Sequence, residues 1–198
     1  GVAALLMLQP NLGTTIVLGA IVLTVLYVAG QRLHHLGGIA IVGGLVAGFL
    51  AFGASYRRAR MTAFLNPWAD PGDTGYQTIQ SLVGIASGGL KGVGLGASRA
   101  KYEFLPEAHT DFIFAIVAEE LGLIGAAFVI GLFLALAYFG IRVALSTADT
   151  FGRLVAAGIT AWFAVQAFMN IGVFVAVLPI TGVPLPFVSF GGSSLVVT

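Results

Sequence analysis

No cysteine occurs anywhere in the 198 residues. That removes disulfides, thiolate nucleophiles and thiolate metal sites, and leaves the redox compartment undetermined. Charge is scarce too. Only 9% of the residues are charged against 58% that are hydrophobic, whereas a soluble domain carries about a quarter charged. A chain of this composition cannot cover itself with a water-compatible surface, so it belongs in a membrane. The net charge of +1 supplies neither a basic nucleic-acid footprint nor an acidic tail, and no nucleic-acid partner is expected. The chain begins at Gly1 in an apolar run without a charged leader, and Thr198 lies inside another such run. It reads as an internal piece of a longer polytopic protein.

Long uncharged runs are present instead. Residues 12–29 are enough to cross ~30 Å of hydrocarbon as a helix, opened by the turn and cap residues Gln9-Pro10-Asn11-Leu12-Gly13-Thr14. Further spans are expected at 36–55, 112–141 and 154–178, with a truncated one at 187–198. The fold class is therefore all-α, a polytopic transmembrane helix bundle forming one membrane domain. Gly44 and Gly48 form a small-xxx-small pair suited to close helix packing. The hydrophilic stretch 56–111 is a long loop containing short or interfacial helices. Within it, residues 74–90 carry Gln77, Gln80, Ser81 and Ser87 and no charge, which suits a helix at the interface or along a cavity. Residues 88–96 are glycine-dense, but they lack the Gly-Lys-Ser/Thr ending of a P-loop and follow no strand, which argues against nucleotide binding.

Parity places the two short polar links on one side of the membrane, and the long loop with the proline-rich loop on the other. Arg32, Arg142 and Arg153 against Asp149 weakly favour a cytoplasmic location for the links. The Arg57–Arg60 cluster at a membrane edge argues the opposite, so charge leaves the orientation open.

The most reaction-like stretch is 104–125. Glu107, His109, Asp111, Glu119 and Glu120 crowd the doorway of an otherwise apolar helix. Pro106 ends any earlier helix and Thr110 can cap the new one. Asp111 then falls in the first turn, where the helix dipole favours its ionised form, while burial beside Phe112 and Phe114 opposes it. That makes Asp111 a candidate general base, or else simply a first-turn acid that stabilises its helix. Glu119 and Glu120 lie deeper, where ionisable groups are costly enough to imply function or pairing with a basic residue of another helix. Glu107, His109 and Asp111 alternate, and in an extended segment would resemble a divalent-cation site, though one histidine and two carboxylates are a weak signal. These residues establish no cofactor, and a divalent cation, Mg or Mn, is the candidate. Arg57, Arg58 and Arg60 with Lys91, Arg99 and Lys101 suit an anionic head group, or else face ordinary lipid. The irregular run from Gly182 to Ser194, with Pro184, Pro186, Ser189, Gly191, Gly192 and Ser193, suits a cavity wall or a kinked helix pair.

Several of these motifs stand together in one family. Gln9-Pro10-x-Leu12-Gly13-Thr14, Tyr56-Arg57-x-x-Arg60, Asn66-Pro67-Trp68-x-Asp70-Pro71, Gly75-Tyr76-Gln77-x-x-Gln80-Ser81, Leu105-Pro106-Glu107-Ala108-His109-Thr110-Asp111-Phe112-Ile113-Phe114 and Pro184-Leu185-Pro186-Phe187-Val188-Ser189-Phe190-Gly191-Gly192-Ser193-Ser194 resemble the SEDS proteins (shape, elongation, division and sporulation) of bacteria. Ala108 and the pair Glu119-Glu120 are more similar to the FtsW division branch than to the RodA elongation branch. The resemblance spans essentially the whole chain and implies that about half of the family's ten helices lie outside it. It implies a peptidoglycan glycosyltransferase of the bacterial inner membrane, polymerising lipid II for cell-wall growth or division. It further implies an active site and a long loop on the extracytoplasmic face, and Asp111 as the essential aspartate. Arg57, Arg60 and Lys91 would hold the pyrophosphate, while Gln77, Gln80, Ser81, Glu107, His109 and the proline loop would line the substrate cavity. The implied partners are a class B penicillin-binding transpeptidase and other divisome or elongasome membrane proteins. Two positions depart from the pattern: Asn11 stands where the family usually has Asp, and Ala54 where it usually has Glu, which removes acids that could pair with Arg57 or Arg60. A lipid II flippase and a non-catalytic scaffold for the transpeptidase are the competing functions.

Overall fold

The computed structural model of the chain describes residues 12–53, 64–69, 71–72, 75–98 and 113–189. Its regular elements are all helical: α1 (Leu12–Val28), α2 (Leu33–Gly53), a 3-10 turn at Pro67–Ala69, α3 (Tyr76–Gly88), α4 (Ile113–Ser146) and α5 (Thr150–Phe174). No strand occurs among the described residues. By length and apolar composition, α4 and α5 can each cross a membrane, and only 11% and 22% of their most apolar windows are buried. The core helix of a soluble protein would be mostly buried; these helices instead offer Phe128, Leu132, Leu134, Phe139 and Ile159 to the outside. That is the surface a lipid environment requires.

The contacts divide the chain into two compact units, one of residues 1–55 with 133–165 and the other of 56–132 with 166–198. In the first, α1 and α2 pack together. α1 stops because Gly30 enters the left-handed region at φ +89°. Gln31 N–H then donates to Leu26 O and Gly30 N–H to Tyr27 O, the paired closure that satisfies a helix's last carbonyls. Thr24 turns its hydroxyl back to Ala20 O, so that polar group needs no partner from lipid. α5 is capped by the preceding Asp149, whose Oδ2 accepts a 2.7 Å bond from Gly152 N–H. An apolar groove of about 400 Å³ runs between α1 and the first half of α5, lined by Ile21, Val25, Leu154, Gly158 and Trp162.

A Cβ on Gly44 or Gly48 would meet no atom within 4 Å, so among the described residues no helix packs closely on this pair. That face of α2 is exposed, with Ile41, Val42 and Leu45 beside it. The close helix contact falls instead at Gly140, where a Cβ would overlap the Thr160 side chain of α5.

The second unit holds α3, the glycine-dense segment after it, the first part of α4, the end of α5 and the irregular segment 179–189. Phe114 and Phe174 meet edge to face at 5.0 Å between ring centroids, joining α4 to α5 in its core, where Leu185 is also buried.

Candidate functional site

α4 is not one continuous helix. Gly122 adopts φ +67° and ψ −167° inside it, a combination open essentially only to glycine. A break at this point orphans four backbone groups. In an unbroken α-helix, Leu123 N–H would donate to Glu119 O and Ile124 N–H to Glu120 O. Here, Glu119 O accepts from Val93 N–H at 3.0 Å and Glu120 O from Gly94 N–H at 3.1 Å. Leu123 N–H donates to Gly89 O at 2.9 Å and Ile124 N–H to Leu90 O at 3.3 Å. The glycine-dense segment is thus spliced into the gap, and each group the break releases finds a partner.

Side chains would prevent this approach. A Cβ on Gly88 would strike Ala118 O, one on Gly92 would strike Glu120 O, and one on Gly122 would strike Gly92 N. Gly92 and Gly94 also require positive φ, at +80° and +108°. The glycine density, which lacks the ending of a phosphate loop, therefore serves a helix.

An acid beside the splice is held as well. Ser98 is fully buried, and its hydroxyl donates to Glu119 Oε2 at 2.5 Å. Glu119 is only 4% exposed, which a carboxyl tolerates when it is hydrogen-bonded. Glu120, the next residue, is half-buried. Sequence reasoning looked for a basic partner to these glutamates and missed the Ser98 hydroxyl, because a contact across 21 positions leaves no local spacing signal.

α3 packs on the first half of α4 through Gly84 and Gly88, burying Thr78, Ile79 and Ser81. Ser81 is 0% exposed and donates to Thr78 O at 2.8 Å, so it packs this helix rather than facing a cavity. Gln77 and Gln80, one turn apart, are half-exposed, and Lys91 is exposed beside the splice. At the end of α5, Asn170 Nδ2 donates to Val183 O at 2.9 Å, both groups buried. This ties down the irregular segment that three prolines and Gly182 keep from forming a helix. Leu185 N–H donates to Ser189 Oγ at 2.7 Å and Ser189 N–H returns to Leu185 O. Pro186 is buried within that turn and Pro184 half-buried.

Gln77, Gln80, Ser81, Lys91, Pro184, Pro186 and Ser189 therefore fall in one compact unit with the splice. Asp111, Arg57, Arg60, Glu107, His109, Gly191, Gly192 and Ser193 lie outside the described residues, as do Asn11 and Ala54. Among the described residues, no three His, Asp or Glu side chains converge as metal ligands do.

Known proteins resemble this chain in both sequence and structure. The family model described as "Cell cycle protein", covering FtsW, RodA and SpoVE, matches residues 2–198. This chain belongs to that family. It is 46% identical over 195 residues to the probable peptidoglycan glycosyltransferase FtsW of Geobacter metallireducens, covering 98% of the chain and 52% of that protein. It is 47% identical over 193 residues to the stage V sporulation protein E of Bacillus subtilis, covering 96% of the chain and 52% of that protein. Among solved structures, it matches a chain from a peptidoglycan synthase complex with TM-score 0.76 and 32% identity, over 98% of this chain and 54% of that one. A mutant of the rod shape determining protein RodA of Thermus thermophilus matches with TM-score 0.62 and 29% identity, over 98% and 48%. The chain spans about half the length of the curated relatives it matches. Like the rest of this SEDS family it is an integral membrane protein, with an all-helical fold.

Proposed function

We propose that the protein carrying this chain is a peptidoglycan glycosyltransferase that polymerises lipid II at the extracytoplasmic face of the bacterial membrane. The observation that carries the reading is 46% identity, across 98% of the chain, to a relative named as a probable enzyme of this kind. The structural feature that suits it is the spliced helix, in which the backbone groups released by the break bond to residues 89–94 and the buried Glu119 carboxyl accepts from Ser98.

The reaction joins a hydroxyl of one sugar to the carbon of another that carries the lipid pyrophosphate. A base takes the hydroxyl proton, and the pyrophosphate leaves with the lipid. Asp111, two residues before α4, is the proposed base. Arg57, Arg60 and Lys91 would stabilise negative charge on the leaving pyrophosphate, and Mg²⁺ or Mn²⁺ would supply further positive charge if the full protein recruits it. Both substrates are tethered by polyprenyl chains, so a site at a helix mouth meets them where they lie. Gln77 and Gln80, half-exposed on α3, are available to sugar hydroxyls, while Ser81 and Ser189 act by holding their own segments. A class B penicillin-binding transpeptidase is the proposed partner, in keeping with the likeness to a chain of a complex that coordinates polymerization and crosslinking.

Broken helices also occur in transporters, which leaves a lipid II flippase as the second reading. Transporters leave the groups freed at a break to bind ion or substrate. Here, residues 89–94 occupy those groups, which favours a fixed scaffold over alternating access.

The deciding experiment uses the full-length protein with its transpeptidase and purified lipid II. Asp111→Asn should lower glycan polymerisation by ~10²–10⁴-fold with partner binding intact, the usual worth of a general base. Undiminished polymer would remove Asp111 from the mechanism, and translocation without any polymer from the wild type would favour the flippase.

A further inference from the structure

We propose that the groove between α1 and α5 holds an acyl chain of an anionic phospholipid, whose head group meets the arginines of the two short links. The site lies wholly in the first compact unit and does not depend on the glycosyltransferase reading. Only apolar and aromatic side chains line it: Ile21 and Val25 from α1, with Phe151, Leu154 and Trp162 from α5. Gly158 forms its floor. A Cβ there would already come within 3.3 Å of a Val25 methyl, so a longer side chain at 158 would take up the space that glycine leaves open.

Length and charge select the occupant. The groove follows α5 from Phe151 to Trp162, a rise of about 16 Å, which is roughly half of the ~30 Å hydrocarbon core. It starts at one membrane edge, since Phe151 is the second residue of α5 and Val25 stands three residues before the end of α1. A transmembrane helix would call for a groove that continues across the whole core, whereas one leaflet's depth suits a lipid chain. By parity that edge lies opposite the long loop, so the head of a substrate handled at the loop is in the other leaflet. The edge is also positively charged. The links carry Arg32, Arg142 and Arg153 against a single acid, Asp149, whose Oδ2 already accepts from Gly152 N–H. Arg32 is exposed just past the end of α1. Arg153 is half-buried in the first turn of α5, and its Nε has no hydrogen-bond partner. A phosphate head group gives these cations the counter-charge that the links lack. Arg142 is placed differently. It belongs to α4, with its guanidinium 5.9 Å from the centroid of the Tyr138 ring, and lies about 200° round that helix from Gly140, the residue that meets α5.

The test uses the full-length protein in nanodiscs containing phosphatidylglycerol or phosphatidylcholine with bromine on the acyl chains. Trp162 lines the groove, bromine quenches indole fluorescence on contact, and the signal lost in Trp162→Phe isolates its share. Phosphatidylglycerol should quench Trp162 at a mole fraction at least about fivefold lower than phosphatidylcholine, the worth of one arginine near an anionic head group. Arg32→Gln combined with Arg153→Gln should erase that preference, and Arg142→Gln should keep it. Gly158→Leu, which fills the floor, should weaken quenching by both lipids. Should Gly158→Leu fail to fold, the arginine variants, which leave the groove lining intact, carry the test. Equal quenching by the two lipids overturns the proposal, as does a preference that survives the double arginine variant. An equal loss in Arg142→Gln overturns it as well, because the effect would then be one of net charge and not of this site. A Trp162 that neither lipid quenches also overturns it, since protein from outside this chain would then fill the groove.

Discussion

Replacing Gly122 with alanine tests the splice directly. At φ +67° and ψ −167° an L-residue bears about 1–3 kcal/mol of backbone strain. The new Cβ would also lie 2.6 Å from Leu90 O and 2.7 Å from Leu90 C, against backbone that no rotamer change can move aside. The segment 89–94 must then retreat, and the bonds of Leu123 and Ile124 to Gly89 and Leu90 weaken with it. Each is worth about 0.5–1.5 kcal/mol net, and more if a partner is left dry and unpaired. The expected destabilisation is about 3–5 kcal/mol. Gly131→Ala is the control, since it lies in the same helix with no atom within 4 Å of a new Cβ, and it should be neutral or slightly stabilising through helix propensity. Thermal unfolding of the full-length protein in detergent or nanodiscs, with hydrogen exchange at Val93, Gly94, Leu123 and Ile124, reads both. If Gly122→Ala melts with the control and keeps its protection at those four amides, the break is not a requirement of the fold and the reasoning fails.

Two further variants probe the end of α5. Asn170→Leu removes the bond to Val183 O and leaves a buried carbonyl unpaired, at about 1–3 kcal/mol. Limited proteolysis should then cut residues 179–189 faster, and an unchanged cutting rate would show that Asn170 does not restrain them. Ala176 sits at φ +53° where α5 closes through Val177 N–H to Gly172 O and Ala176 N–H to Val173 O, a position that glycine normally fills. Ala176→Gly should therefore stabilise by about 0.5–1 kcal/mol after the extra flexibility of the unfolded chain is counted, visible as a rise in melting temperature. A fall would mean that the alanine methyl packs more than its backbone strains.

Much of the fold was legible in the chain itself. Uncharged runs of membrane length, broken by Arg- and Pro-bearing links, dictate an all-helical membrane protein, because an apolar solvent leaves a backbone no partner but its own. Three prolines and Gly182 suffice to predict that residues 179–186 are irregular. The motifs around Tyr56-Arg57, His109-Thr110-Asp111 and Pro184–Ser194 sufficed for the family, since motifs are local in sequence.

Pairings between distant residues were not legible. Glycine at 88, 92 and 94 read only as part of a dense run that is not a nucleotide loop. That this run meets a break at Gly122, with four hydrogen bonds exchanged between the two segments, depends on which segments meet in space. Ser98 carried no signal, because a single serine among glycines looks like any loop residue until Glu119 is placed beside it. Ser81 read as a substrate-facing hydroxyl, and helix packing turned it inward to bond Thr78 O. Composition and motif thus determined that this is a SEDS membrane protein with acids at a helix entrance. Only tertiary structure decided which carbonyls, amides and hydroxyls join residues 89–98 to the break in α4, because hydrogen-bond partners are chosen by proximity after folding.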